Sequence, residues 1–144
     1  MNKADKALSC FKDGFNCSQS VFSIYAVEMG VDRDTALKVA QAFGGGMAQM
    51  GETCGAVTGA FMVIGLKYGK MKADDDEARR KTYALTREFA EKFKARNGTI
   101  ICRELLGCDI GTPDGQRIAK EKQLFSNVCP GFVRNAVNIL EEIL

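Results

Sequence analysis

The chain contains no histidine and no tryptophan among its 144 residues. Without histidine, Ser–His and Cys–His nucleophilic sites and histidine-ligated metal sites cannot form within this chain. The net charge is only +2, and no aromatic residues are interleaved with basic runs. Because nucleic acids and anionic membrane surfaces attract strongly basic proteins, we expect no nucleic-acid partner.

Long apolar runs are also missing. The longest, residues 56–66, is shorter than the roughly 18 apolar residues expected of a membrane-spanning helix. Residues 1–6 lack the apolar stretch of a signal peptide. The sequence therefore predicts no membrane insertion and a cytoplasmic location.

The remaining composition is that of an ordinary globular protein, with 46% hydrophobic and 26% charged residues. Apolar residues recur at helical spacing, and no alternating run typical of a strand competes with them. The predicted helices cover residues 4–15, 17–29, 33–43, 53–68, 74–95, 101–106 and 114–124, and a last one begins at Cys129. We predict a single all-α domain over residues 1–144, built as a compact bundle of about six to eight helices.

A glycine-rich stretch forms the predicted centre of this bundle. Gly51, Gly55 and Gly59 recur four residues apart, which places them on one face of a helix. Such a smooth face lets another backbone approach closely. The approach could occur within the chain, or it could pair two copies in a homodimer.

Six cysteines are present, and no two form a Cys-x-x-Cys pair, so neither a thioredoxin motif nor a zinc ribbon can be assigned from spacing. In a reducing compartment, cysteines are usually buried apolar residues, metal ligands or redox groups. Any site must therefore be assembled by the fold.

Four of the cysteines lie at predicted helix starts, namely Cys17, Cys54, Cys102 and Cys129. The helix dipole and the free amides there favour a negatively charged thiolate, which is the form that attacks disulfides and binds metals. We choose Cys54 as the attacking thiolate, because its helix start would lower its pKa. Cys10 lies in the middle of its predicted helix and Cys108 lies near the end of a short one, and both are interpreted as packing or auxiliary thiols.

The order of several motifs resembles the C_GCAxxG_C_C family of small proteins described as redox-active. The segments that carry the resemblance are Phe15-Asn16-Cys17-Ser18-Gln19, Phe43-Gly44-Gly45-Gly46-Met47, Cys54-Gly55-Ala56-Val57-Thr58-Gly59, Cys102-Arg103-Glu104-Leu105-Leu106-Gly107 and Cys129. The resemblance implies a helical fold, and it maps the family's four cysteines onto Cys17, Cys54, Cys102 and Cys129. Cys108 lies close enough to Cys102 in sequence to exchange roles with it.

Three functions follow from these residues. Two cysteines could cycle between dithiol and disulfide or transfer electrons, with an unidentified redox partner. The same four cysteines could instead hold a [2Fe–2S] cluster or zinc. The chain could also be a non-catalytic helical interaction module.

The cluster alternative has a parallel in split-Soret cytochromes, where a similar cysteine-bearing segment is associated with an iron–sulfur cluster. No Cys-x-x-Cys-His haem attachment site is present, so no haem is implied. The sequence does not decide whether the protein is an enzyme.

Overall fold

The structure is a computed structural model that describes all 144 residues. It contains eight helices of five or more residues, one four-residue helix and no strands, which confirms the predicted all-α fold. The helices are α1 (Lys3–Lys12), α2 (Cys17–Glu28), α3 (Arg33–Gln41), α4 (Gly55–Tyr68), α5 (Asp76–Asn97), α6 (Cys102–Leu106), α7 (Pro113–Glu121), α8 (Leu124–Asn127) and α9 (Cys129–Ile143). The short α8 was not predicted.

Helix ends differ from the prediction by a few residues. Helix α1 ends at Lys12 rather than at residue 15, because Gly14 adopts a left-handed φ of 110° that a helix cannot continue through. Helix α4 begins at Gly55 rather than at residue 53, because Cys54 is its N-cap and has ψ of 135°. The cap position places Cys54 at the N-terminus of α4.

Helix α4 lies at the centre of the main core and packs against α2, α5 and α9. The apolar residues on its inner side are fully buried, and so are those that face it from α5 and α9, including Val57, Ala60, Val63, Ile64, Phe89, Phe93, Val133 and Val137. Phe61 and Met62 are half-buried, and Leu66 is exposed. Burying each large apolar side chain contributes about 1.5–3 kcal/mol. This core holds the N-terminus of α4 in a defined place.

No helix of the chain is both long and apolar. The apolar α4 has 14 residues, whereas the 22-residue α5 is rich in charged residues. No helix of the chain combines the length and the hydropathy needed to cross a membrane.

The glycine face of α4 is used within the chain. A Cβ on Gly55 would lie 2.6 Å from Cys17 Sγ, and a Cβ on Gly59 would lie 2.8 Å from the carbonyl oxygen of Ser18. Only glycine permits α2 to lie this close, which confirms the predicted close approach at Gly55 and Gly59. Gly51 does not share this face, because it precedes α4 and has a left-handed φ of 73°. Because α2 covers both positions, they are not available to pair two copies of the chain.

A left-handed turn connects α3 to α4. Residues 45–49 all have φ between 50° and 71°, although Met47, Ala48 and Gln49 are not glycine. Each non-glycine residue in this conformation costs on the order of 1 kcal/mol. Hydrogen bonds across the turn hold it, including those from the Gly51 amide to the Gly45 oxygen (3.2 Å) and from the Glu52 amide to the Gly46 oxygen (2.9 Å). Strain of this kind is typical of functional sites.

Candidate functional site

The four cysteines at helix starts line one cavity of about 370 Å³. Cys17, Cys102 and Cys129 are the first residues of α2, α6 and α9, and Cys54 is the N-cap of α4. Cys129 is half-buried, and the other three are buried. Four helix N-termini therefore meet at one place in the fold.

The other two cysteines lie outside this cavity. Cys10 is buried with its sulfur 3.9 Å from the Ser23 hydroxyl oxygen. Cys108 packs against a small apolar cluster that contains Cys102, and it does not line the cavity. The structure places Cys102, not Cys108, with the other three thiols.

Asn16 positions Cys17 at the start of α2. Its side chain accepts a hydrogen bond from the Gln19 amide (2.9 Å), and the Gln19 side chain accepts one from the Asn16 amide (3.0 Å), so the two form a capping box. The Asn16 side chain also donates to the Gln41 carbonyl oxygen (3.0 Å), which ties α2 to the end of α3. The first amides of α2 have no partner within the helix and remain available to the sulfur of Cys17.

A short backbone pairing places Cys54 beside Cys102. Thr53 and Ile101 form an isolated antiparallel bridge. The Cys54 amide donates to the Ile100 oxygen (2.8 Å), and the Cys102 amide donates to the Glu52 oxygen (2.6 Å). Because these bonds join segments almost 50 residues apart in the chain, the sequence pattern did not predict them.

The Cys17 sulfur has an environment that favours a thiolate. Its pKa is lowered from 9.0 to about 6, first by a hydrogen bond with the Cys54 thiol and then by the amides of Gly45, Cys17 and Ser18, which together outweigh its burial. The Gly45 amide comes from the left-handed turn and donates to no backbone oxygen in the chain. Two helix-terminal amides and one turn amide thus converge on one sulfur.

The other three cavity thiols are held neutral. The hydrogen bond with Cys17, burial and the negative charge on Cys17 raise the pKa of Cys54 well above 9.0. Burial and the charge on Cys17 raise the pKa values of Cys102 and Cys129 to about 12. The amides of Ala56 and Val57 at the start of α4 do lower the pKa of Cys54, as predicted, but the neighbouring Cys17 and burial outweigh them, so the predicted net direction is wrong.

Two features of the site were not assigned from the sequence. In the sequence, the glycine triplet at residues 44–46 indicates a flexible turn, a close backbone approach or an anion cradle, although no Lys-Ser or Lys-Thr pair follows it as in a phosphate loop. In the structure, Gly45 supplies an amide to Cys17, and a Cβ on Gly46 would lie 2.7 Å from the Cβ of Cys102. The glycine triplet is the sequence signal for these two contacts, but the residues that it contacts, Cys17 and Cys102, lie in α2 and α6.

The donor set of the cavity is chemically suited to zinc or an iron–sulfur cluster, since four thiols line it. Their placement does not suit a metal ion, because no three His, Cys, Asp or Glu side chains of the chain are grouped to hold one. As arranged, the four thiols line one cavity without forming a ligand set.

Comparisons with known proteins agree with the motif order. A family model described as "Putative redox-active protein (C_GCAxxG_C_C)" matches residues 15–143. No curated protein and no solved structure matches the chain. The matched range includes all four cavity cysteines and leaves out Cys10.

Proposed function

The chain belongs to the C_GCAxxG_C_C family, and on that premise we propose that it performs dithiol–disulfide exchange, with Cys17 as the nucleophile and Cys54 as the resolving thiol. Cys102 and Cys129 are the neighbouring thiols of the same site. The observation that carries the proposal is that the Cys17 sulfur lies against the start of α4, where Cys54 is the N-cap, and the lowered pKa of Cys17 beside the raised pKa of Cys54 marks Cys17 as the thiolate. A thiolate is the nucleophilic form, and its pKa near 6 keeps it populated at neutral pH.

The exchange has two steps. The Cys17 thiolate attacks one sulfur of a disulfide, whose S–S bond breaks, and a thiolate leaves. The product is a mixed disulfide on Cys17. Cys54 then loses its proton to the departing thiolate and attacks the Cys17 sulfur, which releases the second half as a thiolate. Two electrons pass from the two protein sulfurs to the substrate disulfide, and the reverse sequence reduces the protein.

The position of the Cys17 sulfur supports this pairing independently of its charge. The sulfur lies 2.6 Å from the position that a Cβ on Gly55 would take, and Gly55 directly follows Cys54. The two cysteines therefore meet at the start of α4. The glycine is what allows the sulfur to lie there.

We also infer that residues 1–144 act as one domain. The cavity takes its cysteines from α2, α4, α6 and α9, which span most of the chain. Loss of any one of these elements would open the site.

A cluster or metal role through Cys17, Cys54, Cys102 and Cys129 is the second candidate, and the observation in its favour is that all four line one cavity. It requires the thiols to move into a ligand set, since no such group is present. Anaerobic purification with iron, sulfide and zinc analysis tests it. One equivalent of metal per chain, lost in the Cys129→Ser variant, would favour this candidate over exchange.

Exchange itself is tested by adding one equivalent of a chromogenic disulfide to the reduced protein. We expect two released thiols per chain and a Cys17–Cys54 disulfide in the peptide map. The Cys54→Ser variant lacks the resolving thiol, so it should release one thiol and retain the mixed disulfide on Cys17.

The matched control is Cys10→Ser, because Cys10 is buried but lies outside the cavity. It should behave as the unmodified protein does. If Cys17 stays reduced while another cysteine reacts, or if Cys54→Ser also releases two thiols, the assignment of these two residues is wrong.

A further inference from the structure

We propose that the substrate of this site is an uncharged, largely apolar low-molecular-weight disulfide, rather than a charged one such as a carboxylate-bearing peptide disulfide. The proposal rests on the exchange function above. It is carried by the walls of the cavity, whose chemistry is separate from that of the cysteines.

Much of the cavity wall is apolar. This part is formed by six large side chains from α1, the connection to α2, and helices α6, α8 and α9, namely Phe11, Phe15, Leu105, Leu106, Phe125 and Phe132. Aromatic rings and leucines lining a cavity of about 370 Å³ favour a ligand with an apolar, ring-sized body.

No charged side chain lines the cavity. Its polar side chains besides the thiols are the neutral amides of Asn16, Gln41 and Gln49. A carboxylate entering this space would find no Arg or Lys to pair with, and burying an unpaired charge is costly. It would also approach the negative charge of the Cys17 thiolate.

A second groove that adjoins the cavity is also largely apolar. It shares Phe11, Gly14, Phe15 and Phe125 with the cavity and continues outward along α1 and α9. Its one charged residue is Lys12, on the exposed end of α1. A ligand that extends from the cavity into this groove therefore contacts phenylalanine side chains in both spaces.

A matched pair of probes tests the charge preference. Dithiobis(nitrobenzoate) carries two carboxylates at neutral pH, and its diamide is uncharged and of similar size. Each rate constant for modification of Cys17, followed by peptide mass mapping, is divided by the rate constant of the same probe with mercaptoethanol thiolate. We expect the normalised rate for the diamide to exceed that for the dianion by at least about 30-fold, because only the dianion must bury unpaired charge.

Two variants place a positive charge at the site. Phe125→Lys puts an ammonium in the wall shared by cavity and groove, and Gln41→Lys puts one at the exposed rim. Each should reduce the preference for the diamide, Phe125→Lys by about tenfold or more. Met71→Lys adds the same charge at a residue that is 99% exposed and outside both spaces, so it should leave the ratio unchanged.

The outcomes separate the two proposals. If neither probe modifies Cys17, the exchange function itself fails. If both modify Cys17 at similar normalised rates, or if the dianion is faster, exchange survives and the uncharged substrate class is overturned. If Phe125→Lys does not fold, as judged by far-ultraviolet circular dichroism, the Gln41→Lys result decides the role of charge.

Discussion

Removing the Cys54 thiol should raise the pKa of Cys17, because the hydrogen bond between the two thiols is the largest cause of the lowered value. In the Cys54→Ala variant only the three backbone amides remain to oppose burial. We expect the pKa of Cys17 to move from about 6 to above about 8, toward the ordinary thiol value of about 8.5. A change of two pKa units corresponds to about 2.7 kcal/mol of lost thiolate stabilisation.

The assay must follow pH and not a single rate. At pH 7, a thiol of pKa 6 is about 90% thiolate, and one of pKa 8.5 is about 3% thiolate. The more basic thiolate is also more nucleophilic, with a Brønsted slope of about 0.4–0.5, so the rates at pH 7 differ by only a few-fold. The informative quantity is the pH midpoint of alkylation by iodoacetamide, measured on the Cys17 peptide by mass spectrometry.

Two further variants give an intermediate case and a control for this pH midpoint. Cys54→Ser keeps a donor beside the Cys17 sulfur, so its midpoint should lie between those of the unmodified protein and Cys54→Ala. Cys10→Ala removes a buried thiol that lies outside the cavity and should leave the midpoint near 6. A midpoint above 8 in the unmodified protein, or one that Cys54→Ala does not move, would refute the thiolate assignment.

Three other predictions concern stability and are measured by urea unfolding. Because the pKa of Cys17 is lowered in the folded protein, the stability that its thiolate contributes is fully present above pH 9 and is lost as the pH falls through about 6. The free energy of unfolding should therefore rise by about 2 kcal/mol from pH 6 to pH 8, below the pH at which the raised pKa values of Cys54, Cys102 and Cys129 begin to oppose it; Cys17→Ser should abolish this rise, and an unchanged rise would contradict the linkage. Gly55→Ala forces a Cβ against Cys17 Sγ and should destabilise the protein, whereas Gly65→Ala in the same helix meets nothing within 4 Å and should stabilise it by about 0.5–1 kcal/mol; equal effects would argue against close packing at Gly55. The buried Ser18 hydroxyl has no hydrogen-bond partner, whereas the buried Ser20 hydroxyl donates to the Asn16 carbonyl oxygen at 2.8 Å. Ser18→Ala should therefore be neutral or stabilising, and Ser20→Ala should lower the free energy of unfolding by about 1 kcal/mol. The reverse order of stabilities would show that these contacts are misassigned.

Local signals in the sequence predicted the helices well. Asn16 is a strong N-cap residue, Pro130 follows the first residue of α9, and acidic residues open α5, so these helix starts could be placed within about two residues. The spacing of Gly55 and Gly59 predicted a face for close approach. These signals depend only on neighbouring residues, and they do not need the rest of the fold.

Local signals were weaker at helix ends, in short helices and at the left-handed turn. Helix α1 ends at Lys12, three residues before the predicted end. The four-residue α8 has too few positions to show helical spacing. The left-handed turn at residues 45–49 is held by hydrogen bonds to residues on either side of it, and three of its residues are not ones that favour this conformation.

The sequence by itself determined that Cys17, Cys54, Cys102 and Cys129 stand at helix starts, because caps and helical periodicity act over three or four residues. Only the tertiary structure decided that the four starts meet at one cavity and which sulfur is charged there. A helix start favours a thiolate at all four positions alike. The choice of Cys17 comes from a proton on Cys54 and an amide on Gly45, and both are brought to it by other parts of the chain.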